Sequence, residues 1–92
     1  MSDYTQEASL IQLIADNARC LPGYGNSTVG VATGLTDQPY GNPMYRAYLI
    51  VNSQPVAATH DSSSRLGAQL DLFSRVEKKL GHTLRVPHYQ DL

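Results

Sequence analysis

Residues 61–81 read DSSSRLGAQLDLFSRVEKKLG, and this stretch decides the fold. Leu66, Leu70, Phe73, Val76 and Leu80 recur at intervals of four, three, three and four, the spacing of an amphipathic helix. Asp61 and the three serines after it offer N-caps, and Gly81 supplies the residue that commonly ends a helix. The stripe predicts a core face, so that truncating Leu70 or Phe73 would destabilise the domain. On a wheel of about 100° per residue, Arg65, Arg75, Lys78 and Lys79 fall away from that stripe, with Asp71 placed to pair with Arg75.

The segments before this helix read as strands. Residues 44–51, MYRAYLIV, are β-prone throughout, and residues 56–60, VAATH, follow after the break NSQP, so the two form a hairpin. The longer strand, with few polar residues after Arg46, is expected to be central and covered on at least one face. Residues 36–43, TDQPYGNP, hold two prolines, a glycine, an asparagine and an aspartate and predict a loop. Residues 28–35, TVGVATGL, alternate Val29, Val31, Thr33 and Leu35 on one face with Gly30, Ala32 and Gly34 on the other. The small face suits the close approach of another backbone or helix. From Tyr4 to Leu21 the apolar positions Leu10, Ile11, Ile14, Ala15, Ala18 and Leu21 predict a first helix, capped by Ser2 or Asp3 and stopped by Pro22-Gly23. Residues 82–86 leave room for a short fourth edge strand before Pro87, and residues 88–92 read as a loose tail. The expected fold is α+β in a single domain over residues 1–92: helix, three antiparallel strands, helix.

Composition narrows the function classes. The chain has 92 residues, 41% hydrophobic and 16% charged, too apolar for disorder and without the run of ~20 apolar residues that a membrane span needs. Seven Lys and Arg against eight Asp and Glu give a net charge of −1, so nucleic acid would have to be met by a local patch. Such a patch is suggested by the distribution: residues 1–61 carry five acids and two bases, whereas residues 62–92 carry five bases and three acids. The single cysteine, Cys20, leaves no internal disulfide, fits a reducing compartment and reads as a small core residue. With no basic segment followed by an apolar run at the amino terminus, the expected location is cytoplasmic.

No constellation predicts catalysis. His60, Asp61 and Ser62 are a triad's residue types, but neighbours at a strand-to-helix turn point apart, and Asp61 with the serines reads more simply as caps. His60, His82 and His88 lack the spacing of metal ligands, and Cys20 sits at a helix C-terminus, which does not activate a thiol. The glycines at 23–25 and 30–34 do not have the spacing of a phosphate cradle. Tyr24, Tyr40, Tyr45 and Tyr48 have the character of a base-stacking platform, although strand tyrosines more commonly pack. No cofactor, metal or small-molecule substrate is expected. The predicted partner-binding residues are the basic helix face, Arg65, Arg75, Lys78 and Lys79, together with Tyr40 and Asn42 in the loop over 36–43.

Two resemblances bear on function. The element order over residues 4–80 is similar to that of the double-stranded RNA-binding domain. That family grips phosphates with a lysine-rich start to its last helix, where this chain has Ser62-Ser63-Ser64-Arg65 with a single cation. The family's histidine in the first hairpin loop is also missing from 36–43. The whole chain, from Tyr4-Thr5-Gln6-Glu7-Ala8-Ser9-Leu10-Ile11 through the strand at 45–51 to the helix at 66–80, resembles the small phage-encoded anti-CRISPR proteins of the type I-F inhibitor group. That resemblance implies a non-catalytic viral inhibitor in the host cytoplasm. It would bind Cas proteins and guide RNA in a large nucleoprotein assembly, with phosphate-backbone contacts, and block target DNA hybridisation. A minimal RNA-binding domain is the alternative, and a small hydrolase using His60 or Cys20 the third reading.

Overall fold

The computed structural model describes residues 3–36 and 41–84. Helix α1 (Asp3–Arg19) leads to strands β1 (Val29–Leu35), β2 (Tyr45–Val51) and β3 (Gln54–Ala58), and helix α2 (Arg65–Thr83) closes the order. The strands form one antiparallel sheet in the order β1-β2-β3, so the apolar segment at 45–51 is central as expected. Both helices lie on the same face of it. Leu10, Ile14, Ala15 and Ala18 of α1 pack with Val29, Ala47, Leu49 and Val51 of the sheet and with Ala68, Leu72 and Val76 of α2. Alternation along β2 follows from this: Ala47, Leu49 and Val51 are buried beneath the helices, while Arg46, Tyr48 and Ile50 lie half-buried on the open face.

The β2–β3 hairpin turns on Asn52 and Ser53, both at positive φ, 52° and 68°. Such two-residue turns match the twist of the flanking strands. Asn52 also ties the turn to β1, since its Oδ1 accepts from the Thr28 N–H at 3.0 Å and its own N–H donates to the Thr28 carbonyl at 2.8 Å. The break is therefore shorter than NSQP suggests. Strand β3 starts at Gln54 and absorbs Pro55 at a sheet edge, where a missing N–H is tolerated. A register shift between Leu49 and Ile50 leaves Val56 as the extra residue of a bulge.

Several sequence expectations need correction. Helix α2 does not bury the Leu66-Leu70-Phe73-Val76-Leu80 stripe. Ala68, Gln69, Leu72 and Val76 are its buried residues, whereas Leu66 is 36% and Leu70 50% exposed. Phe73 and Leu80 are half-buried at the margin. A second apolar row at Ala68, Leu72 and Val76 was available, and its small first member lets the helix settle close to β2 with the Gln69 amide among α1 and β1. The helix also continues through Gly81, which keeps a negative φ. Thr83 Oγ1 donates to the Lys79 carbonyl at 2.9 Å and the Leu84 N–H to the Leu80 carbonyl at 2.8 Å, so the last turn is held beyond the glycine. His82 and Thr83 are accordingly helical rather than part of a fourth strand, and residues 85–92 lie outside the described residues. On β1 nothing lies within 4 Å of the place where a Cβ would stand at Gly30 or Gly34. The small face is open, and the helices approach the opposite one.

Helix α1 ends two residues earlier than its apolar pattern, and Cys20 and Leu21 continue it as tight turns, bonded to the Asn17 and Ala18 carbonyls. Leu21 still reaches the core, but Cys20 points outward and is exposed, not a core residue. Ser2 lies outside the described residues, and Asp3 is already helical. Among the described residues no helix is long and apolar enough to cross a membrane.

Candidate binding surface

The α2 cations separate into two groups because one of them has a partner in α1. Arg65, at the amino end of α2, reaches Glu7 with Nη2 at 3.0 Å and Nε at 3.3 Å from Oε1. The same oxygen accepts from Gln69 Nε2 at 3.1 Å, and that nitrogen also donates to Thr33 Oγ1 at 3.0 Å. Glu7 thus joins both helices, and through Gln69 the network reaches β1. Gln69 is fully buried, with Oε1 lacking a hydrogen-bond partner, and the Glu7 side chain is only 12% exposed. These contacts lock the relative rotation of the helices, because a buried polar side chain costs free energy unless it is bonded.

The guanidinium of Arg65, and then the Gln69 amide, hold the Glu7 carboxyl below its ordinary value of 4.5. A depressed carboxylate contributes stability above its unfolded-state value and loses it as pH falls through its folded value. The Glu7 contribution is therefore fully present above the normal carboxylate range and is lost as pH falls through that range and below it. Glu7→Gln should flatten part of the decline of stability with falling pH, as read from denaturant midpoints across the acid range. An equally steep decline in the variant would remove Glu7 as its source.

Arg75, Lys78 and Lys79 lie on the carboxyl half of α2, about 15–21 Å along the axis from Arg65 at 1.5 Å per residue. Arg75 Nε donates to Asp71 Oδ2 at 3.2 Å in an exposed i,i+4 pair. Lys78 and Lys79 are exposed and have no ion pair among the described residues. Asn42 is exposed in the segment between β1 and β2, near the opposite end of α2, since Tyr45 at the end of that segment bridges Ser62 just before the helix. Tyr40 lies outside the described residues. The structure therefore groups Arg75, Lys78 and Lys79, and it does not bring Arg65 or Asn42 to them.

The remaining candidates disperse. Asp61 Oδ1 accepts from Arg46 Nε at 2.6 Å, which holds the guanidinium protonated more firmly than usual, so Asp61 is an ion-pair partner and not a helix cap. The cap is Ser64, whose Oγ accepts from the Gly67 N–H at 2.9 Å. Ser62 uses its backbone to pair with Tyr45, and the His60 carbonyl accepts from Thr59 Oγ1. These contacts run to three different partners, Thr59, Arg46 and Tyr45. Cys20 Sγ donates to the Asp16 carbonyl, at 3.6 Å. Among the described residues no three His, Cys, Asp or Glu side chains converge as metal ligands, and His88 lies outside them. Tyr24 and Tyr45 pack against the core, leaving Tyr48 on the other face of the sheet, so these three form no common platform.

A feature that the sequence reading missed lies beside the carboxyl half of α2. The helices stand over β1 and β2, and all five residues of β3 are exposed. Between α2 and β3 this leaves a cleft of about 520 Å³. Leu49, Leu72 and Val76 form its floor, Val56 lies on the β3 side, and Arg75 and Lys79 stand on its helix side one turn apart. The i,i+4 spacing of Arg75 and Lys79 was visible in the sequence. Their position beside an apolar cleft depended on which α2 face turned inward.

No protein-family model, curated protein or solved structure matches the chain.

Proposed function

We propose that this chain is a non-catalytic binding protein that docks on a large nucleoprotein assembly in the cytoplasm. It would do so as an inhibitor of the kind its resemblance to small phage-encoded anti-CRISPR proteins implies. The observation that carries the docking reading is the apolar cleft with a cationic side: Leu49, Leu72, Val76 and Val56 line it, and Arg75 and Lys79 border it. Apolar area beside exposed positive charge suits a partner surface that is anionic and carries side chains to bury. Free RNA would satisfy the cations and leave the cleft floor uncovered, which favours a protein surface of the assembly over RNA alone.

The test titrates a type I-F Cas protein–guide RNA complex, and separately its free guide RNA, with wild type and with the Arg75→Glu, Lys78→Glu, Lys79→Glu triple variant. Wild type is expected to bind the complex and not the free RNA. The triple variant should keep its unfolding midpoint, since exposed charges contribute little, and should bind at least about tenfold more weakly at low salt, with the difference shrinking as salt rises. Comparable binding to complex and free RNA would replace this reading with the RNA-binding alternative. No binding to either, or a triple variant as tight as wild type, would overturn it.

A further inference from the structure

We infer that the α2–β3 cleft receives an extended, acidic segment of a partner protein, which adds as a fourth strand along the free edge of β3. This rests on the docking reading and specifies the partner's chemistry. Strand β3 is uncharged and exposed at every residue, and among the described residues no lysine or helix covers its edge; Pro55 and the bulge at Val56 blunt its amino half and leave Ala57 and Ala58 as the regular part of the edge. The Thr59 N–H donates to the Ala47 carbonyl at 3.0 Å, and Ala57 stands opposite Leu49. By the alternation of an antiparallel ladder, the N–H and carbonyl of Ala58 between them face away from β2, toward the free edge.

The other observations identify which segment would fit. Side chains alternate across a strand, so every second residue of an added strand would face the helix side, toward the cleft. An apolar side chain there would cover Leu49, Leu72, Val76 and Val56, and the volume of about 520 Å³ accommodates a branched one. Acidic side chains in the same segment would meet Lys79, which has no ion pair among the described residues, and Arg75, whose Nε is engaged by Asp71. A basic segment would be repelled, and a nucleic acid would bring no apolar side chain for the floor. Main-chain bonds at the edge and a side-chain pocket beside it are the two parts of recognition by strand addition.

The probe is a short blocked peptide of alternating valine and glutamate, titrated into the isotope-labelled full chain and read by amide chemical shifts. The valine–lysine peptide and a single-stranded RNA hexamer are run in parallel. The expected result is shifts at Val56, Ala57 and Ala58, slowed exchange of the Ala58 N–H, and binding about tenfold tighter than for the lysine peptide. Ala58→Pro, which removes the outward donor, and Val56→Asp, which places an acid in the cleft without touching the backbone, should each weaken peptide binding about tenfold. The second variant keeps the test decisive if proline disturbs β3. Equal binding of the two peptides, or shifts that avoid β3, would overturn strand addition. So would concentration-dependent broadening of β3 amides without peptide, which would make a second copy of this chain the occupant. If the triple charge variant loses the nucleoprotein complex while Ala58→Pro and Val56→Asp retain it, the docking surface stands and strand addition fails. If the RNA hexamer alone shifts Lys78 and Lys79, both fall together.

Discussion

Leu72→Ala is expected to lower the stability of this domain by about 2–5 kcal/mol, while Leu70→Ala, two positions away, costs about 1 kcal/mol or less. Leu72 is 1% exposed in the core cluster with Ile14, Leu49 and Val76, so truncation removes core contacts and opens a void beneath the cleft. Leu70 is 50% exposed, and its loss leaves no enclosed space. The two lie about 160° apart on the helical wheel and cannot both face the sheet. Since a domain this small has total stability at the low end of about 5–15 kcal/mol, Leu72→Ala should leave a detectable unfolded fraction at equilibrium. Denaturant midpoints of the two variants measured side by side decide the matter. A larger loss for Leu70→Ala would mean that α2 presents the opposite face to the sheet.

Thr59→Val should cost about 1–3 kcal/mol, although the two side chains have nearly the same shape. Thr59 is buried where β3 gives way to the connection into α2, and its Oγ1 accepts from the Ala47 N–H at 3.1 Å while donating to the His60 carbonyl at 3.1 Å. The hydroxyl thus completes the ladder at the point where the backbone turns away. Valine would leave the Ala47 amide buried and without a partner, in a residue that is itself completely buried at the centre of the sheet. Thr59→Ser keeps the hydroxyl and should retain most of the stability. Exchange of the Ala47 N–H should accelerate in the valine variant and not in the serine one. A serine variant as unstable as the valine one would show that the methyl group, not the hydrogen bond, carries the contribution.

Both expectations depend on features that the sequence shows only in part. That residues 61–81 are helical was legible, because an apolar repeat of three and four and a serine cap are local properties. Which face of that helix is the core was not. Two apolar rows coexist on α2, one through Leu66 and Leu70 and one through Ala68, Leu72 and Val76. Glu7 and Thr33, distant in the chain, settle the choice by receiving the Gln69 amide. The same holds for the basic face. Arg65, Arg75, Lys78 and Lys79 were recognisable as cations on one helix, yet Glu7, 58 residues away, draws Arg65 into an ion pair. That sets it apart from the other three.

Local pattern was enough for the element order, the central place of residues 45–51, the sharing of one β1 face by Val29, Val31 and Thr33, and a chain reversal beginning at Asn52. Each depends on a period of 2 or 3.6 residues or on turn chemistry, and those are set by neighbours along the chain. Closure of the whole chain was needed for the rotation of α2, the face of β1 that meets the helices, the helical course through Gly81, the exposure of Cys20, the pairing of Asp61 with Arg46, and the cleft beside β3. Two helices cover two strands of three, and the third is left bare. The reason is that burial is a property of surfaces meeting: a local pattern specifies which residues share a face, whereas the free energy that selects among faces comes from partners brought together only when the whole chain closes.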